Sequence, residues 1–107
     1  MLKIPKAFKF LGKQWQVVKV DVPDPTRPGV WASTSFRDQT IYIRKELHKD
    51  SEAQTFIHEL LHVLFWELSL NRSNQISDEK EECLVDALAN GLYALITEKV
   101  INIKEKK

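Results

Sequence analysis

The sequence contains a single cysteine, Cys83, so no disulfide can form within the chain. Long hydrophobic runs are also missing, because the longest apolar stretches are much shorter than a membrane span and carry His, Glu or Asn. No N-terminal stretch has the charged, apolar and small-residue order of a signal peptide. Together these absences favour a cytoplasmic protein with no membrane association.

An excess of charge of one sign is absent as well. Lys and Arg number 16 and Asp and Glu number 15, which leaves a net charge of +1. Since a nucleic-acid-binding domain usually carries a basic stripe, the composition argues against a nucleic-acid partner. The basic tail at residues 104–107 is typical of a solvated terminus, and the tryptophans are better explained as core or sheet-edge residues.

The length and composition indicate one soluble globular domain covering residues 1–107. The chain has 43% hydrophobic and 29% charged residues, an ordinary balance for such a domain. A chain this short buries one modest core and has little room for a separate recognition domain. Any active site must therefore be part of the core scaffold.

The first half of the chain reads as strands rich in aromatic and β-branched residues. The candidate strands are residues 6–11, 14–20, 30–36 and 40–44. Turn signals at residues 12–13 and 37–39 indicate hairpins, whereas three prolines within residues 22–29 indicate a surface loop. These features predict a small antiparallel sheet of three or four strands.

Two helices are predicted in the second half. Ser51 and Gln54 form a capping-box pattern for a largely buried helix that runs to about residue 70. After a loop at residues 71–74, Ser77 suits the N-cap of a second helix that runs to about residue 99. The apolar stripe of this helix comprises Leu84, Leu88, Leu92, Leu95 and Ile96. The predicted fold is an α+β domain with the sheet packed on two helices.

The run His58-Glu59-Leu60-Leu61-His62 lies within the first helix. Residues four apart differ by about 40° around a helix axis, so both imidazoles project from one side. Zinc accepts neutral histidine nitrogens, and catalytic zinc sites typically keep a position for water. Glu59, one step around the helix, is placed to take a proton from that water. This pattern predicts one zinc ion per chain.

An alternative interpretation treats the two histidines as core residues that hydrogen-bond to the backbone. Two unpaired imidazoles and a carboxylate would be costly on a helix that is otherwise almost wholly apolar. A bound metal removes that cost, and the sequence therefore favours a metal site.

The second helix supplies acidic candidates for a third ligand. Glu82 and Asp86 are four residues apart and share a face. One would bind the metal while the other accepts a hydrogen bond from a metal-bound histidine. Glu79 and Glu81 read more simply as a solvated acidic first turn. Cys83, beside Glu82, is a candidate thiolate ligand but is more typical of a small buried hydrophobe.

The spacing of His58-Glu59-x-x-His62 and Glu82-x-x-x-Asp86 resembles the gluzincin pattern of zinc peptidases. Residues 41–89 are similar to the ImmA/IrrE-like family, whose small members are often encoded by phages and mobile elements. The resemblance implies that His58, His62 and Glu82 are zinc ligands, Glu59 the general base and Asp86 the partner of a histidine. The chain lacks the downstream domain from which larger gluzincins supply an oxyanion-stabilising His or Tyr.

The predicted function is zinc-dependent hydrolysis of a peptide or protein substrate bound along a sheet edge, here expected at residues 40–44. The candidate oxyanion stabilisers are Tyr93, Tyr42, His48 and Arg44. The alternative function is a zinc-stabilised protein-interaction module without turnover, which would require a closed site with a fourth ligand such as His48. A metal-free partner-binding domain fits only if the histidine pair is accidental.

Overall fold

The computed structural model describes residues 3–70 and 77–100. The elements in chain order are β1 (Ala7–Phe10), β2 (Lys13–Val20), β3 (Ala32–Ser35), β4 (Thr40–Arg44), α1 (Lys49–Glu67) and α2 (Asp78–Thr97). The predicted α+β class is confirmed, with one four-stranded sheet and two helices, the first of which carries His58 and His62. None of the helices described is long and apolar enough to cross a membrane.

The sheet is mixed, which differs from the antiparallel arrangement expected from the two hairpins. Its strand order is β1-β2-β4-β3. The pairs β1/β2 and β3/β4 are antiparallel as predicted, but β2 and β4 pair in parallel. The proline-containing segment after β2 carries the chain past the sheet, so β3 becomes an edge and β4 returns beside β2. The prediction that residues 40–44 form the edge is therefore wrong.

The turn between β1 and β2 depends on left-handed backbone conformations. Leu11 has a φ of 52° and Gly12 a φ of 79°. Positive φ at both central residues is the geometry of the two-residue hairpin that matches the twist of the strands. Glycine adopts this conformation without a steric cost, which accounts for its position here. The turn lies one residue earlier than the glycine-lysine pair alone indicated.

Arg44 holds the loop between β2 and β3. Its guanidinium donates to the carbonyl of Asp21 at 3.1 Å, to that of Val30 at 3.0 Å, and to that of Pro28. At the loop tip, hydrogen bonds from Thr26 and then from Arg27 lower the pKa of the Asp24 carboxyl. The three prolines have no backbone N–H, and side-chain donors add to the backbone hydrogen bonds that Arg27 and Val30 make within the loop.

The helix boundaries differ from the sequence prediction at three ends. α1 begins at Lys49 with His48 as N-cap, so the Ser51–Gln54 capping box is not used. α1 ends at Glu67, where Ser69 at φ 59° and a bond from Leu70 N–H to the Phe65 carbonyl close the last turn.

At α2, Ser77 is confirmed as the N-cap because its hydroxyl accepts from the N–H of Lys80 at 3.2 Å. The helix ends at Thr97, two residues before the predicted end. The predicted loop at 71–74 and the basic tail at 104–107 lie outside the described residues.

Helix α1 lies between the sheet and α2, and its two faces belong to different core clusters. The sheet-side cluster comprises Trp15, Ile41, Ile43, Phe56 and Val63. The helix-side cluster comprises Ile57, Leu61, Phe65, Val85 and Ala89. Because apolar side chains project from both of these faces into the core, α1 is largely buried, as its composition predicts. Only a narrow face is left for polar residues, and it carries the histidines.

The buried face of α2 agrees with the predicted apolar stripe at Leu92 and Ile96, which pack against the helix-side cluster, but not at Leu84 and Leu88. Glu81, Val85 and Ala89 are buried, whereas Leu84 and Leu88 are 44% and 47% exposed. Cys83 is exposed as well, so its interpretation as a small buried residue is wrong. The helix is oriented about its axis so that its small side chains pack against α1. This orientation places the acidic residues of its first half near the histidines.

The orientation of α2 can be tested by its effect on stability. We expect Val85→Ala to lower the free energy of unfolding by about 2 kcal/mol, since it removes two buried methyl groups and leaves a cavity. Leu88→Ala should change it by less than about 0.5 kcal/mol, because that side chain is half exposed. Urea denaturation followed by circular dichroism measures both values. A larger loss for Leu88→Ala would show that the predicted leucine stripe is the packed face.

Candidate metal centre

His58 and His62 present their ring nitrogens to each other from one face of α1. Their Nε2 atoms are 3.2 Å apart, and the ring planes are inclined at 65°. Two ligands of a tetrahedral zinc ion, each about 2.0–2.1 Å from the metal, lie about 3.3 Å apart. The spacing of the two nitrogens therefore matches that required by a shared ion.

The other ring nitrogen of each histidine faces a carboxylate. Nδ1 of His62 is 2.6 Å from Oε2 of Glu81, and Nδ1 of His58 is 3.1 Å from Oδ1 of Asp86. A carboxylate only accepts, so each Nδ1 carries the proton in the neutral imidazole; we assign the tautomers from these contacts. Both Nε2 atoms are then left with a lone pair directed into the same space.

Glu82 adds a third group to this space. Its Oε1 is 2.7 Å from Nε2 of His62, and its Oε2 is 3.6 Å from Nε2 of His58. At 2.7 Å, Nε2 of His62 and Oε1 of Glu82 are at hydrogen-bond distance, so either a proton on Nε2 or a metal ion bound to both atoms would offset their repulsion. Two imidazole nitrogens and one carboxylate form the donor set of known catalytic zinc sites. The residues present can therefore hold a metal ion.

The charge around the histidines also favours a cation. The carboxylates beside the two imidazoles are those of Glu59, Glu81, Glu82 and Asp86. Within residues 3–70 and 77–100, these carboxylates contact the two imidazoles, and no Lys or Arg forms an ion pair with them. Glu59 and Glu81 are buried at 7% and 8% exposure, where an unneutralised carboxylate is costly. A metal ion would offset that cost.

Glu59 lies beside the two histidines, and the group His58, Glu59 and His62 can hold a metal ion. Its Oε1 accepts a hydrogen bond from the Thr34 hydroxyl at 2.6 Å. Its Oε2 is 4.0 Å from Nε2 of His58, on the side of the converging lone pairs. One oxygen is thus held by the sheet, while the other faces the space between the histidine nitrogens.

The cluster opens into a groove of about 590 Å³ between β3, α1 and α2. The groove is lined, besides the cluster, by residues that include Ala32, Ser33, Thr34, Thr55 and Asn90. The side chain of Gln54 donates to that of Asn90 and so joins the two helices along the groove. The candidate site is therefore accessible from solvent along the β3 edge of the sheet.

The predicted oxyanion stabilisers lie elsewhere. Tyr42 alternates on β4 with the buried Ile41 and Ile43, so it projects from the sheet face opposite α1. Arg44 is engaged by loop carbonyls. His48 is the N-cap of α1, about 15 Å from His58 along the helix axis.

Tyr93 donates its hydroxyl to Asp50 at 3.1 Å rather than to the histidine cluster. Desolvation, and then the hydrogen bond to Asp50, raise the pKa of the Tyr93 phenol above its ordinary value. The phenol therefore stays protonated as a donor that joins α2 to the start of α1.

Two residues of the site were not singled out by the sequence. Glu81 was interpreted as part of a solvated first turn, yet it is buried and contacts His62. A signal existed, since Glu81 is four residues before the core residue Val85, and an acid on a core face needs a partner. Thr34 gave no signal, because its proximity to Glu59 arises only when β3 packs against α1.

The contact between Glu81 and His62 predicts an effect on metal affinity. We expect Glu81→Gln to weaken zinc binding roughly 10–100-fold, since a neutral amide orients and polarises the imidazole less than a carboxylate does. Zinc dissociation constants from chelator competition measure this change. Glu79→Gln, at an exposed position of the same first turn, should bind zinc as the wild type does. Equal affinities for all three proteins would contradict the role of Glu81.

Comparison with protein-family models, with curated proteins and with solved structures gave no match. The chemistry of the site follows from its geometry. That geometry provides a cluster of histidines and carboxylates that can hold a metal ion, on the first helix of an α+β domain.

Proposed function

We propose that the protein is a zinc-dependent peptidase in which His58, His62 and Glu82 hold the metal and Glu59 is the general base. The observation that carries the proposal is the convergence of two Nε2 lone pairs and the Glu82 carboxylate next to the free oxygen of Glu59. Imidazole and carboxylate ligands in this ratio are those of the zinc peptidases. The residues also have the spacing that resembles the gluzincin pattern.

The roles of the residues follow from their contacts. Zinc, when bound, makes water more acidic and polarises the carbonyl of the scissile peptide bond. Glu59 accepts the proton of the attacking water through Oε2 and delivers it to the leaving amine. Asp86 and Glu81 hold the histidines in the tautomer that directs Nε2 inward.

The edge strand β3 lies beside the groove and offers a place where a peptide substrate could pair. The N–H of Arg44 donates to the carbonyl of Trp31 at 2.8 Å, so Trp31 and Ser33 form the hydrogen-bonded pairs with β4. By antiparallel alternation, the main-chain groups of Ala32 and Thr34 then point to the free edge. An extended peptide can add there as a fifth strand. β3 thus takes the role that the sequence interpretation gave to residues 40–44.

A zinc-stabilised interaction module is the second candidate. It is favoured by one observation: none of the predicted oxyanion donors contacts the cluster in the part of the chain that the structure describes. A purely structural zinc site has four protein ligands and no open position. Neither His48 nor Cys83 belongs to the groups of described residues that could hold a metal ion. The three proposed ligands would leave a position for water beside Glu59, which favours the peptidase.

The test combines metal content with turnover. Protein purified without added metal or chelator should contain about one zinc per chain by elemental analysis. It should cleave members of a mixed peptide library, lose this activity with a chelator and regain it with zinc. Stoichiometric zinc without cleavage of any peptide would favour the interaction module. Failure of well-folded protein to bind added zinc would exclude both functions.

A further inference from the structure

We propose that Thr34 is a positioning residue for Glu59, which it holds as a base and prevents from becoming a metal ligand. The inference deepens the proposed peptidase function and rests on it. Thr34 lies on the edge strand β3, 25 residues before Glu59 in the sequence, and its hydroxyl donates to Oε1 at 2.6 Å.

The contact is well suited to fix a buried carboxylate. Glu59 is 7% exposed, so water solvates its charge poorly, and a hydroxyl donor is worth more there than at the surface. Among the described residues, Thr34 is the hydrogen-bond donor to this carboxylate, and the nearest ring nitrogen is Nε2 of His58, 4.0 Å from Oε2. The orientation of the carboxyl group therefore depends largely on one side chain from another element.

The hydrogen bond assigns different tasks to the two oxygens. Oε1 accepts the Thr34 hydrogen bond, so turning it towards the histidines would break that bond, while Oε2 remains 4.0 Å from Nε2 of His58. Without the hydroxyl, rotation about the side chain would let Glu59 approach the ion as a further ligand. A carboxylate bound to the metal would occupy the open position that water needs. Thr34 thus keeps Glu59 available as a base, and it is not expected to change the affinity for the metal.

The same residue belongs to the edge at which a peptide can add. The main-chain N–H and C=O of Thr34 point to the free edge, whereas its side chain reaches Glu59. A peptide paired with β3 would restrict the backbone of the residue that orients the base. The main chain of Thr34 would then bind substrate, while its hydroxyl aligns the base. Because only the hydroxyl is lost in a substitution by valine, turnover should be affected more than substrate binding.

The experiment compares Thr34→Val, which keeps the shape but removes the hydroxyl, with Thr34→Ser, which restores it. We expect Thr34→Val to retain the zinc content of the wild type, to lower kcat roughly 10–100-fold and to change KM less than about twofold. Thr34→Ser should recover most of kcat. Thr97→Val, which removes a hydroxyl bonded to the Tyr93 carbonyl on α2, is the matched control and should keep wild-type kcat.

A second readout does not require turnover. With ¹³C-labelled glutamate carboxyl groups, the NMR signal of Glu59 is identified by its absence in Glu59→Gln. We expect this signal to shift in zinc-loaded Thr34→Val and to return in Thr34→Ser. If the wild type cleaves no peptide, the peptidase function fails, and this signal alone decides whether Thr34 positions Glu59.

Three results would overturn the inference. They are an unshifted Glu59 signal in Thr34→Val, a loss of kcat that Thr34→Ser does not restore, and a loss of zinc in Thr34→Val. The last result would mean that Thr34 supports the fold of the site as a whole.

Discussion

Glu59→Gln is expected to keep about one zinc per chain while its rate of peptide hydrolysis falls roughly 10²- to 10⁴-fold. The amide has nearly the shape of the carboxylate, and its oxygen can still accept the Thr34 hydrogen bond. It cannot take a proton at neutral pH, so the attacking water stays neutral. The substitution therefore distinguishes the loss of the base from the loss of the metal.

Elemental analysis and initial rates on one cleaved peptide measure the two quantities on the same preparation. Glu46→Gln, an exposed glutamate before α1, is a control that should leave both unchanged. Hydrolysis at the wild-type rate by Glu59→Gln would remove Glu59 from the mechanism. Loss of zinc from Glu59→Gln would instead make Glu59 a ligand, as its inclusion in the histidine cluster permits.

His62→Ala is expected to lose both zinc and hydrolysis. Its Nε2 is adjacent to the other two proposed ligands, at 3.2 Å from His58 and 2.7 Å from Glu82. With two ligands left, the site no longer provides the three protein groups of a catalytic zinc centre. The substitution also leaves the buried Glu81 without its partner, which adds a cost in stability.

His48→Ala provides a matched control, because the third histidine of the chain lies at the N-cap of α1 and makes no side-chain capping bond. It should bind zinc as the wild type does. Glu82→Ala should lose zinc like His62→Ala if the carboxylate is the third ligand. Stoichiometric zinc in His62→Ala, measured with circular dichroism as a check on folding, would disprove the proposed ligand set.

The elements that sequence reasoning placed well are those whose signals are local. β4 was predicted at its observed residues, and Ser77 was identified as the N-cap of α2. A strand read from alternating side chains, or a cap read from one hydroxyl, depends on few neighbouring residues. The start of α1 was predicted too late, because Ser51 matches a capping pattern although the helix already begins at Lys49.

Features that depend on distant parts of the chain were predicted less well. The parallel pairing of β2 with β4 and the edge position of β3 depend on the path of the segment after β2. The stripe predicted on α2 was correct at Leu92 and Ile96, but Leu84 and Leu88 are exposed and the first half of the helix packs through Val85 and Ala89. Both faces are compatible with the helical period, and only contact with α1 selects one of them.

The sequence by itself determined that two imidazoles and a carboxylate share one helix, because side-chain direction on a helix follows from the backbone and the spacing His58-Glu59-x-x-His62. Only the tertiary structure decided which acids meet which histidine and that Thr34 holds Glu59. These contacts join β3, α1 and α2. They depend on the rotation and separation of packed elements, which the local periodicity of the chain does not encode.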